Sequence, residues 1–188
     1  RRMRHLGRIF FAGLTAMAII ITPTAGASAS SNGSSQSDPS KVCGLDKVWL
    51  KMSIEGDRFE IKGGQIALKH STSVSVRKLA RTLIEDHTTS LAEAIALAKK
   101  VGAEVPKEPS PTQQWQLDEI SETWGREFNH DYAELEVKDH LQDIDEAKDE
   151  VKLGCNPDVR ADAKKEIPTL EMHLALAQNA LKHNPTEH

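Results

Sequence analysis

Aromatic residues are scarce in this 188-residue chain: three Trp, one Tyr and four Phe, 4% in all. β-Sandwiches lean on aromatic and β-branched side chains, so this shortage, set against many Ala, Leu, Lys and Glu, points to helices instead. Basic charge is also short: 24 Lys and Arg face 28 Asp and Glu, a net charge of −4. Arg1, Arg2, Arg4 and Arg8 sit in a segment expected to be removed, and without them the balance falls to about −8. Such a chain is not built to grip nucleic-acid phosphates. Collagen-like, mucin-like and multi-pass membrane compositions are absent too. Only one long apolar run exists, at the N-terminus, so the mature chain has no expected transmembrane helix.

That run has a recognisable setting. Arg1 to Arg8 are basic, Ile9 to Ile21 are apolar, and TPTAGASAS follows with small side chains. The order matches the n, h and c regions of a secretory signal peptide. Ala25-Gly26-Ala27 suits the peptidase pockets, so residues 1–27 are expected to leave by cleavage between Ala27 and Ser28, with Ala29 as the neighbouring site. The apolar stretch, about 13 residues, is shorter than the roughly 20 a bilayer needs. Residues 28–42 are polar, small and of low complexity, which predicts a spacer unable to offset its own ordering entropy. Residues 43–183 then form the folded unit, and 184–188 a tail.

Within that unit apolar residues recur every three or four positions. Leu45, Trp49, Met52, Gly56, Phe59, Gly63, Ile66 and Ala67 mark a helix over about 46–70, with Gly63-Gly64 as a weak point. Val76 to Val101 make a second, closed by Gly102. Three prolines interrupt the chain at AEVPKEPSPT, and a short helix follows over 112–123. A third long helix covers about 125–153, with Ala133, Val137, His140, Ile144, Ala147 and Val151 on its stripe. The fourth runs from Val159 past Pro168, where a kink is expected. Trp49, Trp115 and Trp124 are expected in core or cap packing. The acidic run Asp139–Glu150 is expected on a solvated face.

Tight breaks at 71–73 and 154–156 predict two antiparallel hairpins, hence an all-α four-helix bundle. The connection from 102 to 124 is long enough either to turn back at one end or to cross the bundle's length. The cysteines bear on this choice, because an exported chain with two Cys suggests one disulfide. Cys43 precedes the first helix and Cys155 follows the third. Only the crossover topology, that of ferritin-like folds, brings them to one end. Two free or intermolecular thiols are the alternative.

His87, His140 and His173 each fall near the middle of a different long helix, and Glu60 near the middle of the remaining one. Three imidazoles and a carboxylate suit a single transition-metal ion: Zn, Cu or Fe. The alternative is a buried polar layer, each His bonded to a nearby carboxylate or carbonyl. Di-iron bundles carry Glu-x-x-His pairs. Here Ile84, Val137 and Leu170 stand three residues before the histidines, so ferroxidase chemistry is not expected. No nucleophile elbow and no Cys-x-x-Cys pair occurs, which leaves hydrolysis and thiol redox catalysis without support.

The stretches FEIKGGQIAL (59–68), VRKLARTLIEDHTTSLAE (76–93), FNHDYAELEVKDH (128–140) and IPTLEMHLALAQNAL (167–181) resemble a bacterial exported family. It is the domain-of-unknown-function 4142 family, described as outer-membrane proteins and grouped with the ferritin-like superfamily. Glu85-Asp86-His87-Thr88 and Thr169–Leu174 carry its most specific marks; Lys62-Gly63-Gly64 departs from its usual Glu-Leu-Gly. The resemblance implies a periplasmic or outer-membrane-associated helical bundle and no established reaction. The expectation is a non-enzymatic protein acting by interaction or sequestration in envelope maintenance or stress, with an unidentified envelope or protein partner. The alternative is a mononuclear metal-binding or metal-dependent redox bundle using Glu60, His87, His140 and His173.

Overall fold

The computed structural model describes residues 41–186. The expected signal peptide, its cleavage between Ala27 and Ser28, and nearly all of the expected spacer lie outside the described residues. Five helices and no strand occur among the described residues: α1 (Gly44–His70), α2 (Val74–Val101), α3 (Pro111–Ser121), α4 (Gly125–Leu153) and α5 (Pro157–His183). Four long helices and the short α3, expected over 112–123, make five, so the name four-helix bundle covers only the long ones. None is long and apolar enough to cross a membrane.

Local chemistry sets the ends. Gly102 closes α2 in the left-handed conformation, φ 70°, which costs glycine little. Ser110 and Gln113 form a capping box ahead of α3, with Pro111 in its first turn. Asn156 accepts from the backbone N–H groups of Asp158 and Val159 to start α5. Two long helices run through residues that usually weaken them. α1 runs unbroken through Gly63-Gly64, and α5 continues as helix through Pro168. Gly64 has a packing reason: a Cβ there would meet Ile84 Cγ1 at 2.8 Å and the Ala80 carbonyl at 2.9 Å, so α1 and α2 approach closely at this glycine.

Side-chain contacts fix the directions. Lys100–Asp158, Ser90–Glu166, Asp86–His173 and Ser75–Asn184 pair α2 with α5 in antiparallel order. The connection climbs α1 step by step: Glu104 meets Lys51, Arg58 donates to the Pro106 carbonyl, Glu108 meets Lys62, and His70 donates to the Thr123 carbonyl. It therefore spans the bundle's length, and α4 runs parallel to α2. Trp124 ends the climb, 61% exposed and stacked on His70 at 3.5 Å; Trp115 is likewise 62% exposed, so neither is core.

This crossover returns the end of α4 to the start of α1. Cys43 and Cys155 form a disulfide with Cα atoms 5.7 Å apart. Beside it Asp46 accepts from the N–H groups of Cys43, Cys155 and Asn156, a three-point clamp on two chain segments. Burial pushes the Asp46 carboxyl up, yet these N–H donors outweigh it and hold the group below its usual range.

The core is divided. One apolar cluster, around Phe59, Leu79, Leu83, Phe128 and Tyr132, fills the half toward the α1 C-terminus. Another, around Trp49, Leu50, Ile54, Ala98 and Val159, fills the disulfide half. A third, smaller apolar cluster around Ile144, Ala147 and Leu170 and a set of buried polar side chains complete the core.

Candidate metal centre

α4 supplies several of those polar side chains. Its buried face reads Tyr132, Ala133, Glu136, His140, Ile144, Ala147 and Glu150. Helical spacing thus turns Glu136 and Glu150 inward where Val137 and Val151, both only partly buried, were expected. Asp139 and Asp143 are also partly buried, so the acidic run is not the solvated face its composition suggests.

His87 from α2, His140 from α4 and His173 from α5 converge, with exposures of 6%, 0% and 0%. Their ring centroids are separated by 6.0 Å (His87–His140), 5.0 Å (His87–His173) and 5.3 Å (His140–His173). Each ring has one anchored nitrogen. His87 Nδ1 donates to Asp57 Oδ1 at 2.8 Å, His140 Nδ1 to the Glu136 carbonyl at 2.9 Å, and His173 Nε2 to Asp86 Oδ2 at 2.9 Å. The remaining nitrogens, His87 Nε2, His140 Nε2 and His173 Nδ1, are buried without a hydrogen-bond partner. One ligand atom from each of the three lies within 4.8 Å of the others.

That pattern separates the two sequence readings. A satisfied polar layer would use both nitrogens of each ring, because a buried unmatched group costs about 1–3 kcal/mol. Here the anchoring bonds set the tautomers and leave three lone pairs in one place. Outer carboxylates and carbonyls that orient metal-binding histidines do the same. A tetrahedral ion with bonds of about 2.0 Å would need nitrogens about 3.3 Å apart, a small inward adjustment of the rings. Burial pushes His87 down to about 4 and His140 down to about 3, and lowers His173 as well. Near neutral pH all three are therefore in the uncharged, metal-competent form.

Glu60 is fully buried, as its helix position suggested, but it groups differently. It lies with Glu136 and His140, its Oε1 3.9 Å from the anchored His140 Nδ1. Glu60 and Glu136 form a buried carboxyl pair and interact with each other, and Tyr132 interacts with Glu136. Burial raises both glutamates, Glu136 to about 8, with the Glu136 and Asp139 charges adding to the rise at Glu60. The structure thus divides the four expected residues into a three-imidazole group and a carboxylate neighbour that shares His140. Asp57 and Glu136 were not singled out from sequence. Their signal was there in register only: Asp57 lies one helical turn before Glu60, and Glu136 one turn before His140.

A cavity of about 230 Å³ opens onto this group, with His87 and His173 in its lining beside Asp57 and Asp86.

The fold has relatives among solved structures. A DUF305 fragment from Deinococcus radiodurans superposes with a TM-score of 0.66 at 12% identity, covering 76% of this chain and 98% of its own. A DUF305 protein from Streptomyces coelicolor, described there as secreted, gives 0.62 at 14% identity, covering 77% and 98%. These likenesses show a shared helical fold. No curated protein matches the sequence. The profile of Domain of unknown function (DUF4142) matches residues 31–180, most of the chain and the whole of the bundle core described above, and the protein belongs to that family.

Proposed function

We propose that this protein is an exported helical bundle that sequesters one transition-metal ion through His87, His140 and His173. One observation carries the reading: three buried imidazole nitrogens without partners converge, while the other nitrogen of each ring is held by a carboxylate or a carbonyl. Three imidazoles favour Zn or Cu over harder cations, and Fe follows in order. Two of the three rings, His87 and His173, line the cavity beside the site.

Three features support a location outside the cytoplasm: the signal-like N-terminus, a disulfide in a chain with only two cysteines, and a structural relative described as secreted. In this reading the protein works in the periplasm or at the outer membrane, buffering metal in envelope maintenance or stress.

The test is metal analysis of protein recovered from the exported fraction, beside a His87→Ala/His140→Ala variant. About one equivalent of Zn or Cu in the parent and none in the folded variant is the expected result. A parent that stays metal-free under Zn, Cu and Fe supply would overturn the reading and leave a purely structural polar layer.

A further inference from the structure

Cys43 and Cys155 are held together by more than their disulfide. Asp46 Oδ2 accepts from the Cys43 N–H at 2.6 Å, and Oδ1 from the N–H groups of Cys155 and Asn156 at 2.8 and 3.1 Å. All three donors are backbone groups, so cutting the S–S bond removes none of them. The two sulfurs and an Asp46 oxygen lie within 4.8 Å of one another. Asp46 is 0% exposed, whereas both cysteines are only partly buried, within reach of a reductant and of ions. Burial opposes ionisation of Asp46, but the N–H donors hold it below its usual range, so it is a carboxylate near neutral pH. Glu150 lies on the same group. Burial and Asp46 push it up to about 8, and a Cβ on Gly154 would meet its Cδ at 2.6 Å.

A carboxylate offers about four acceptor positions. The N–H groups occupy three and Glu150 the fourth, so a cation reaching Asp46 takes the place of Glu150. Two thiolates and a carboxylate suit a tetrahedral ion of the zinc class, with sulfur bonds of about 2.3 Å, sulfurs about 3.8 Å apart and water in the last position. Thiolates also select such ions against Mg and Ca. We propose that the reduced Cys43–Cys155 pair forms, with Asp46, a second metal site for a thiophilic divalent cation. Disulfide and ion are then alternative locks on the same end of the bundle. The switch between them is thiol–disulfide exchange. A dithiol reductant supplies two electrons and two protons and ends as a disulfide, while Cys43 and Cys155 end as thiols. Ion binding releases both thiol protons to solvent. The imidazole centre shares no residue with this site, and neither depends on the other.

The experiment is cobalt(II) titration of the mature protein, oxidised and after reduction by a phosphine, which leaves no competing thiol. Thiolate ligands give a sulfur-to-cobalt charge-transfer band in the near ultraviolet that imidazoles do not. The oxidised parent should show none, and the reduced parent should bind one further ion with the band, as a monomer. The band should persist in the reduced His87→Ala/His140→Ala variant and be absent from Cys43→Ser/Cys155→Ser. Asp46→Asn should weaken binding of the sulfur-bound ion by at least about tenfold. Zinc should raise the Tm of the reduced parent by more than that of the oxidised parent, a readout that needs no variant to fold. No band in the reduced parent, a band only in a dimer, an unchanged affinity in Asp46→Asn, or no extra rise in Tm overturns the site and leaves the imidazole centre standing. A sulfur band with no ion at the imidazoles bears this site out and overturns only that centre.

Discussion

Asp57 on α1 and His87 on α2, thirty residues apart, share a 2.8 Å hydrogen bond among the buried polar side chains of the core. The bond engages Nδ1 and leaves Nε2 buried without a partner, on a ring whose centroid lies 6.0 Å from that of His140 and 5.0 Å from that of His173. Burial here pushes the Asp57 carboxyl well above the usual carboxylate range.

Removing that outer partner should therefore weaken metal binding without dismantling the bundle. Asp57→Asn is expected to lower Zn affinity about 10- to 100-fold. A competition titration against a chromophoric chelator measures it. Unchanged affinity would mean that Asp57 does not orient His87.

The disulfide should matter greatly to stability. It closes a loop with a sequence separation of 112 residues, for which the chain-entropy argument gives about 4–5 kcal/mol. Denaturant unfolding of Cys43→Ser/Cys155→Ser beside the oxidised parent tests this. A difference below about 1 kcal/mol would show that the Asp46 clamp holds that end alone.

Two glycines of α1 should respond in opposite ways. Gly64→Ala puts a methyl against the Ala80 carbonyl and Ile84, and is expected to cost about 1–3 kcal/mol. Gly56→Ala meets nothing within 4 Å and should gain up to about 1 kcal/mol through helix propensity. Thermal unfolding of the pair gives the signs directly.

Glu150 makes the fold pH-sensitive at its disulfide end. Burial and the neighbouring Asp46 carboxylate push it up to about 8, against an ordinary value near 4.3 in the unfolded chain. The folded state therefore keeps a proton that the unfolded state releases, so this contribution is complete below about pH 4 and is lost as pH rises through about 8. Glu150→Gln should flatten the decline of unfolding free energy between about pH 5 and 8. Equal slopes in parent and variant would remove Glu150 as its source.

Much of the architecture was legible in the sequence because helices announce themselves locally. The 3.6-residue period, Gly102, the Pro-rich connection and Asn156-Pro157 place the helices to within a few residues without any knowledge of the fold. The mid-helix positions of His87, His140 and His173 were equally legible, since rise along a helix is simple arithmetic. Facing was not. Whether Glu136 or Val137 points inward depends on the rotation of α4 against α1, a choice settled by packing over its whole length. For the same reason Glu60 met Glu136 instead of the free nitrogens, and acids in the run 139–150 turned inward.

Sequence by itself determined the helical class, the four long segments, the two cysteines and the inventory of imidazoles, because each depends on neighbours a few residues away. Tertiary structure decided that the connection climbs α1, the crossover that the expected Cys43–Cys155 pairing required. It alone decided that Asp57, Glu136 and Asp86 each hold one nitrogen of a different ring. Those pairings join residues on different helices, or select one face among several, and only the docking of whole helices can fix them.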